Sequence, residues 1–326
     1  MPGPVAITGA TGFAGRHVVR FLGQQGTPMR LLVRKQRNDL GFEGAEIVVG
    51  SLEDEASLKR LVTGAAAVVH IAGAIAARDR AQFFAVNAEA TLRLADAAAA
   101  TGVQKFVHIS SLAAREPELS DYGASKRAGE EMLALHESKL ALTILRPPVI
   151  YGGGDRSSLP LFAQLTHQVA FLPGSPQSRF SLLYAGDLAR AVARALEDGA
   201  EGVHEIDDGT VGGYCWPDLV KISATARGRS IVPIYLPRPL VLAGSISFAA
   251  IARFAGRASF LSPDKVRQLY HPDWVCRSGS FVLASPVRFA EGFTKTVQWY
   301  RERGWLPAPA YTDRTRPRSD EGELLS

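Results

Sequence analysis

Val5-Ala6-Ile7-Thr8-Gly9-Ala10-Thr11-Gly12-Phe13-Ala14-Gly15 runs from a short apolar segment through three glycines into Arg16 to Gly23. There Val18, Val19, Phe21 and Leu22 recur at helical spacing, so the stretch reads as strand, turn and helix. That context raises a glycine motif above chance. The first glycine allows a tight turn, the middle one lets backbone approach an anion, and Gly15 lets the helix pack closely on the strand. The helix start supplies N–H donors and positive potential, which suits a pyrophosphate. The turn therefore predicts a dinucleotide site.

The alternation continues outward from this turn. Met29 to Val33, Ala45 to Val49, Val68 to Ile71, Lys105 to Ser110 and Leu142 to Leu145 read as strands. Glu55 to Val62, Phe83 to Ala100 and Tyr122 to His136 read as helices between them. Short apolar runs alternating with amphipathic helices predict an α/β fold, a doubly wound parallel Rossmann sheet. The rhythm breaks after Pro147 and Pro148. Residues 1–150 are expected to form the dinucleotide-binding domain, its sheet completed by about 182–208, where Leu188 to Leu196 reads as a helix and His204 to Ile206 as a strand. Residues 151–181 and 209–310 then form a smaller C-terminal substrate lobe, and 311–326 a flexible tail.

Composition narrows the class. The chain is 46% hydrophobic and 21% charged, with 37 basic and 32 acidic residues giving a net charge of +5. This is a globular profile with only a mild preference for anions. No basic helix interleaved with aromatics is present, so no nucleic-acid partner is expected, and no zinc-type spacing occurs, so no metal is expected. Cys215 and Cys276 read as reduced packing residues of a cytoplasmic protein. The N-terminus shows no secretion signal. Leu240 to Ala252 is apolar almost all round. It reads as a buried helix, too short to span a bilayer, with peripheral membrane contact or the lining of a substrate tunnel as alternatives.

Two positions refine the chemistry. At the end of the second strand, Val33-Arg34-Lys35-Gln36-Arg37 lacks the carboxylate that would bind the ribose hydroxyls of NAD. Arg34 can instead pair a 2′-phosphate bidentately, with Lys35 or Arg37 adding charge, so NADP(H) is preferred and NAD(H) is the alternative. Ser110-Ser111 ends the fifth strand, and Tyr122 and Lys126 follow at i, i+4, on one helix face.

In this order the motifs resemble the extended branch of the short-chain dehydrogenase/reductase superfamily, the NAD(P)-dependent epimerase/dehydratase family, over about residues 4 to 210. The resemblance rests on Thr8 to Gly15, His70-Ile71-Ala72, Asn87, Ser110-Ser111, Tyr122 with Lys126, Leu145-Arg146-Pro147, Tyr151-Gly152 and Gly186-Asp187-Leu188-Ala189. It implies that Tyr122 is the general acid/base, that Lys126 lowers its pKa and holds the nicotinamide ribose, and that Ser111 binds the substrate oxygen. Ser110 is the alternative to Ser111. Asn87 is a supporting catalytic residue by the same resemblance. Gly9, Thr11, Gly12, Phe13, Ala14, Gly15, Arg34, Lys35, Ala72, Gly73, Tyr122, Lys126, Pro147 and Val149 are the expected cofactor-binding residues.

Leu112-Ala113 follow Ser111 where sugar-nucleotide dehydratases of the branch carry an Asp-Glu pair, which argues against that dehydration. Leu240 to Ala252, with Phe254, Phe260 and Leu261, suits an apolar ketone or alcohol. The C-terminal stretches around Leu261 to Val266, His271 to Trp274 and Trp299 to Leu306 are loosely similar to bacterial hydroxysteroid-dehydrogenase-like and keto-lipid reductases. Trp274 and Trp299 themselves read as core. The expectation is an NADP-dependent oxidoreductase interconverting a ketone and a secondary alcohol on a lipid-like small molecule. A nucleotide-sugar epimerase and a non-catalytic NADPH-binding structural or redox-sensing protein are the alternatives, and a homodimer is left open.

Overall fold

A computed structural model describes residues 3–36, 44–198, 200–254, 262–277 and 281–308. The expected tail at 311–326, Arg37, Phe260 and Leu261 lie outside these residues. The chain begins β1 (Val5–Thr8), α1 (Phe13–Gln24), β2 (Met29–Val33), β3 (Glu46–Val49), α2 (Glu55–Val62) and β4 (Ala67–His70). Next come α3 (Arg80–Phe84), a π-helical segment (Ala85–Glu89), α4 (Ala90–Ala100), β5 (Lys105–Ile109), α5 (Asp121–Ala134) and β6 (Ala141–Arg146). Then follow β7 (Val149–Tyr151), α6 (Leu159–Leu165), β8 (Val169–Pro173), β9 (Arg179–Phe180), β10 (Leu182–Tyr184), α7 (Ala185–Asp198) and β11 (Gly202–Glu205). The remainder is β12 (Tyr214–Cys215), α8 (Trp216–Arg227), β13 (Val232–Leu236), α9 (Arg238–Phe254), α10 (Pro263–Leu269), β14 (Asp273–Trp274) and α11 (Phe289–Glu302).

Seven parallel strands form the central sheet in the order β11-β6-β5-β4-β1-β2-β3. The order reverses between β1 and β4, the switch point where ligands of such sheets bind. Strand alternation sends neighbouring residues to opposite faces. Val5 and Ile7 meet Val18 and Leu22 of α1 and Leu188 and Val192 of α7. Ala6 meets the other layer, where Leu58, Leu61, Leu94 and Leu133 come from α2, α4 and α5. Both faces are covered, which is why the strands read as continuous apolar runs.

Downstream, β11 joins the sheet beside β6, whereas β10 pairs with β7 outside it. A third cluster gathers Tyr151, Phe162, Trp216, Phe289, Phe293 and Tyr300. Trp299 packs here against Tyr300 and Trp305.

Three local readings change. The helix expected from Phe83 to Ala100 starts at Arg80, where Asp79 caps it, and passes through a π-helical turn at Ala85–Glu89. Helix α1 starts at Phe13, three residues early, because Gly12 already adopts extended N-cap backbone. Over the part whose side chains are described, Arg238–Ser247, helix α9 is not buried. Only Val241, Leu242 and Ser245 turn inward in Arg238–Ser247, while Leu240, Ala243, Gly244, Ile246 and Ser247 are exposed. No described helix is long and apolar enough to cross a membrane.

Candidate active site

A cleft of about 1620 Å³ opens over the carboxyl ends of β1, β4 and β5. Single-ligand pockets hold roughly 300–1,000 Å³, so this cleft has room for two ligands side by side. Gly9, Thr11, Gly12, Phe13, Ala14, Gly15, Arg34, Ala72 and Gly73 line one end. Ser111 and Tyr122 lie in the wall, and Leu161, Phe171, Pro173, Leu236 and Leu269 line the other end.

The glycine turn is built for close approach. Gly9 has φ +78°, and a Cβ there would sit 2.5 Å from the Ala72 nitrogen. A Cβ on Gly15 would sit 2.1 Å from the Gly9 oxygen. Gly12 would meet only that oxygen, at 3.3 Å, leaving the cleft side open. Gly12 offers no side-chain cap to α1, so the first turn of the helix, which lines the cleft, keeps its N–H groups without a side-chain partner. This cradle fits a dinucleotide pyrophosphate. Arg34 is exposed at the cleft edge.

Two further glycines let the catalytic wall assemble. A Cβ on Gly123 would sit 2.7 Å from the Ala113 oxygen, so α5 can press its first turn onto the turn after Ser111. A Cβ on Gly129 would sit 2.3 Å from the Asn87 oxygen, so α5 also rides against the π-helical turn. The two contacts place Tyr122 beside Ser111 in the cleft wall. Burial holds the Tyr122 phenol above its ordinary pKa, and the Ser111 hydroxyl offsets part of that rise.

The two serines part company at the strand end. Ser111 lines the cleft and its Oγ accepts from the Ala113 N–H at 3.2 Å. Ser110 is buried and donates to Glu130, which is held in turn by Arg146, with Arg146 Nε donating to Oε1 at 2.9 Å. Asn87 is buried behind the cleft. Its Oδ1 accepts from the Ala74 N–H at 2.8 Å, and its Nδ2 donates to Ala74 O at 3.0 Å and Ser125 Oγ at 2.9 Å. It ties the loop after β4 to α5, one turn past Tyr122.

Lys126 is buried too. Its Nζ donates to Ile109 O at 2.8 Å and lies 3.3 Å from His108 Nε2. Burial lowers its pKa to about 8, against the pull of Glu130. The ammonium is turned to the strand end, and the rise of the Tyr122 pKa comes from burial. Behind it, His108 stacks on His70 with centroids 5.2 Å apart. His70 bonds Thr8 Oγ1 at 2.6 Å and Thr91 Oγ1 at 3.0 Å. Burial, then the Lys126 charge, drops His70 to about 3 and His108 well below the usual imidazole value.

Other expected residues fall elsewhere. Val149 is exposed and lines the cleft, but Pro147 does not. Pro148 takes the lining position, because the Pro147 carbonyl is held by the Leu112 N–H at 2.8 Å. Lys35 is exposed beyond the cleft edge, one residue past Arg34, where the chain turns away after β2. Trp274, read as core, lines the cleft and donates its indole N–H to Gln268 O at 2.8 Å.

Sequence reasoning missed His108, Glu130 and the cleft-lining pair Lys265 and Gln268. Gln268 Nε2 donates to Ser120 Oγ at 2.6 Å, and Ser120 Oγ caps α5 by accepting from the Gly123 N–H at 2.9 Å. No periodicity marks a contact between residues 148 positions apart.

The comparisons with known proteins agree with this geometry. The NAD dependent epimerase/dehydratase family matches residues 5–207. Ceramide reductase of Caulobacter vibrioides is 40% identical over 313 residues, covering 94% of this chain and 96% of that protein. Sterol demethylase protein B of Methylococcus capsulatus is 27% identical, covering 92% and 99%. The crystal structure of Thermus thermophilus UDP-glucose 4-epimerase with NAD superposes with a TM-score of 0.63 at 24% identity, covering 91% and 99%, a likeness of fold. With its glycine cradle, its parallel sheet and a matched region spanning most of the chain, this protein belongs to the NAD dependent epimerase/dehydratase family of extended short-chain dehydrogenases/reductases, NAD(P)-dependent oxidoreductases.

Proposed function

We propose that the protein is an NADP(H)-preferring oxidoreductase that interconverts a ketone and a secondary alcohol on an apolar, lipid-like substrate. The observation that carries this reading is the Ser111–Tyr122 hydroxyl pair. It sits between the glycine-lined end and the apolar end of one cleft. The 40% identity to a ceramide reductase over nearly the whole chain supports a lipid-like substrate. On this reading residues 1–150 with about 182–208 serve the cofactor, and 151–181 with 209–310 the substrate.

The cofactor, when bound, supplies or accepts the hydride at the substrate carbon. Gly9 to Gly15 hold its pyrophosphate, and Arg34 meets the charge at its adenosine end. Ser111 donates a hydrogen bond to the substrate oxygen and holds it beside Tyr122. Tyr122 donates its phenolic proton to that oxygen in reduction and takes it back in oxidation. A phenol held above its ordinary pKa is protonated at neutrality, the form that donates in reduction. Asn87 keeps α5 in register with the loop after β4.

Tyr122→Phe tests the reading. Turnover of a long-chain ketone should fall by roughly 10²–10⁴-fold, the usual worth of a general acid, with cofactor Kd within about twofold of wild type. Unchanged turnover refutes the assignment. Activity on a UDP-sugar with tightly held NAD favours an epimerase instead, and cofactor binding without any turnover in the wild type favours a structural role.

A further inference from the structure

Strands β8 and β13 form a two-stranded parallel ribbon apart from the central sheet, with Val232 opposite Val169 and Ile234 opposite Phe171. Alternation puts Ala170 and Leu172 in the core and these four side chains on the outer face. Helix α9 begins two residues after β13. At 100° per residue, Leu240, Ala243, Gly244, Ile246 and Ser247 fall on one arc of it. The Ser247 hydroxyl bonds its own helix at Ala243 O. Val169, Phe171, Val232, Ile234, Leu240 and Ile246 are each 40–62% exposed. Apolar surface of this kind marks an interaction site.

We propose that the outer face of the β8–β13 ribbon, with the exposed arc of α9, docks the protein on an anionic lipid bilayer and turns one mouth of the cleft toward it. This rests on the lipid-like substrate reading above. Charge selects the occupant. The chain carries 32 acidic residues, yet none lies between Asp155 and Asp187 or between Asp218 and Asp264, the two segments that build the face. Arg229 and Arg238 flank the ribbon strand β13 and are both exposed. A second copy seated on the same face would bring these arginines against their own counterparts, with no carboxylate from either segment to pair them. Anionic headgroups meet the same charges favourably, while Val232, Ile234 and Leu240 enter the boundary region.

The cleft gives the docking a purpose. Phe171 is half exposed on the ribbon face and also lines the cleft, next to Pro173 and Leu236 at the ribbon end. An acyl chain leaving the bilayer there enters the apolar end of the cleft without crossing water.

Flotation of the full chain with vesicles of phosphatidylglycerol and phosphatidylcholine, or of phosphatidylcholine alone, tests the proposal. Binding is expected to the anionic vesicles and to fall with added salt. Val232→Glu with Ile234→Glu, and separately Arg229→Glu with Arg238→Glu, should each weaken it by about tenfold or more. All four residues are surface-exposed, so an unchanged melting temperature and unchanged turnover of a detergent-dispersed ketone are expected in both variants. No binding of the wild type to anionic vesicles overturns the proposal, as does binding that the ribbon variant leaves intact. So does a dimer in solution that the ribbon variant dissociates while vesicles are ignored. Vesicle binding with no turnover of any long-chain ketone sinks the substrate reading and leaves the docking face standing.

Discussion

The contrast between Gly12→Ala and Gly15→Ala separates what the glycine turn does for the fold from what it does for the cofactor. A Cβ on Gly15 would lie 2.1 Å from the Gly9 oxygen and 2.9 Å from the Ala10 Cα, all backbone, so helix and turn must separate. Overpacking of this kind costs about 1–3 kcal/mol, and each kcal/mol lowers Tm by roughly 2–4 °C in larger domains. Gly12 has φ −73° and ψ 169°, which alanine adopts freely, and its Cβ would meet one atom at 3.3 Å. The Gly12 variant should therefore melt within about 2 °C of wild type. On the proposed cofactor placement, however, its methyl would meet the pyrophosphate at the helix start. Losing one hydrogen bond to a charged group costs about 1.5–3 kcal/mol, about 10- to 150-fold in Kd. Titration of reduced dinucleotide by fluorescence, with melts of both variants, reads the two effects separately. A Gly12→Ala protein that binds the dinucleotide as tightly as wild type would refute the cradle. Wild-type melting of Gly15→Ala would refute the packing argument.

Other outcomes follow from the same structure. Glu130→Ala leaves Arg146 without its buried partner, a loss of about 3–5 kcal/mol measurable by urea denaturation. Ser110→Ala should cost only about 1 kcal/mol and keep turnover, whereas Ser111→Ala should keep stability and lose turnover. The reverse pattern would exchange their roles. If Arg34 meets a 2′-phosphate, KM for NADPH lies well below that for NADH, and Arg34→Ala narrows the gap. A preference for NADH in the wild type ends that reading. Burial drops His70 to about 3, so the unfolded chain binds the extra proton below its own value near 6.5. Stability is then intact above that pH and is lost as pH falls toward the folded value, at about 1.4 kcal/mol per pH unit for this residue. Thermal melts between pH 7 and 5 should show a slope that His70→Gln reduces, and an unchanged slope would contradict it.

The central sheet was legible in the sequence because buried parallel strands leave a simple trace. Val5–Thr8, Met29–Val33 and Lys105–Ile109 fall where the apolar pattern puts them, since both sheet faces demand apolar side chains. The π-helical turn at Asn87 was not legible, because one inserted residue hardly disturbs a helical pattern. The exposure of α9 was hidden for a related reason. Hydropathy reports what a side chain prefers, and Leu240 and Ile246 are apolar whether or not anything covers them. Within the candidate site, the order of Ser111, Tyr122 and Lys126 could be read, but the direction of the Lys126 ammonium could not. That depends on the Ile109 carbonyl and His108, brought near by the β5 strand end. Pro147 and Pro148 differ by one hydrogen bond to Leu112, which no local pattern encodes.

The Gln268 to Ser120 hydrogen bond has an engineering consequence. The cleft wall that α10 provides is also the fastening of the helix that carries Tyr122, two residues beyond Ser120. Changes made in Pro263–Leu269 to admit a different substrate will therefore loosen or tighten the proton donor as well. Selectivity and turnover are geared together there, and a library that varies this helix should hold Gln268 fixed.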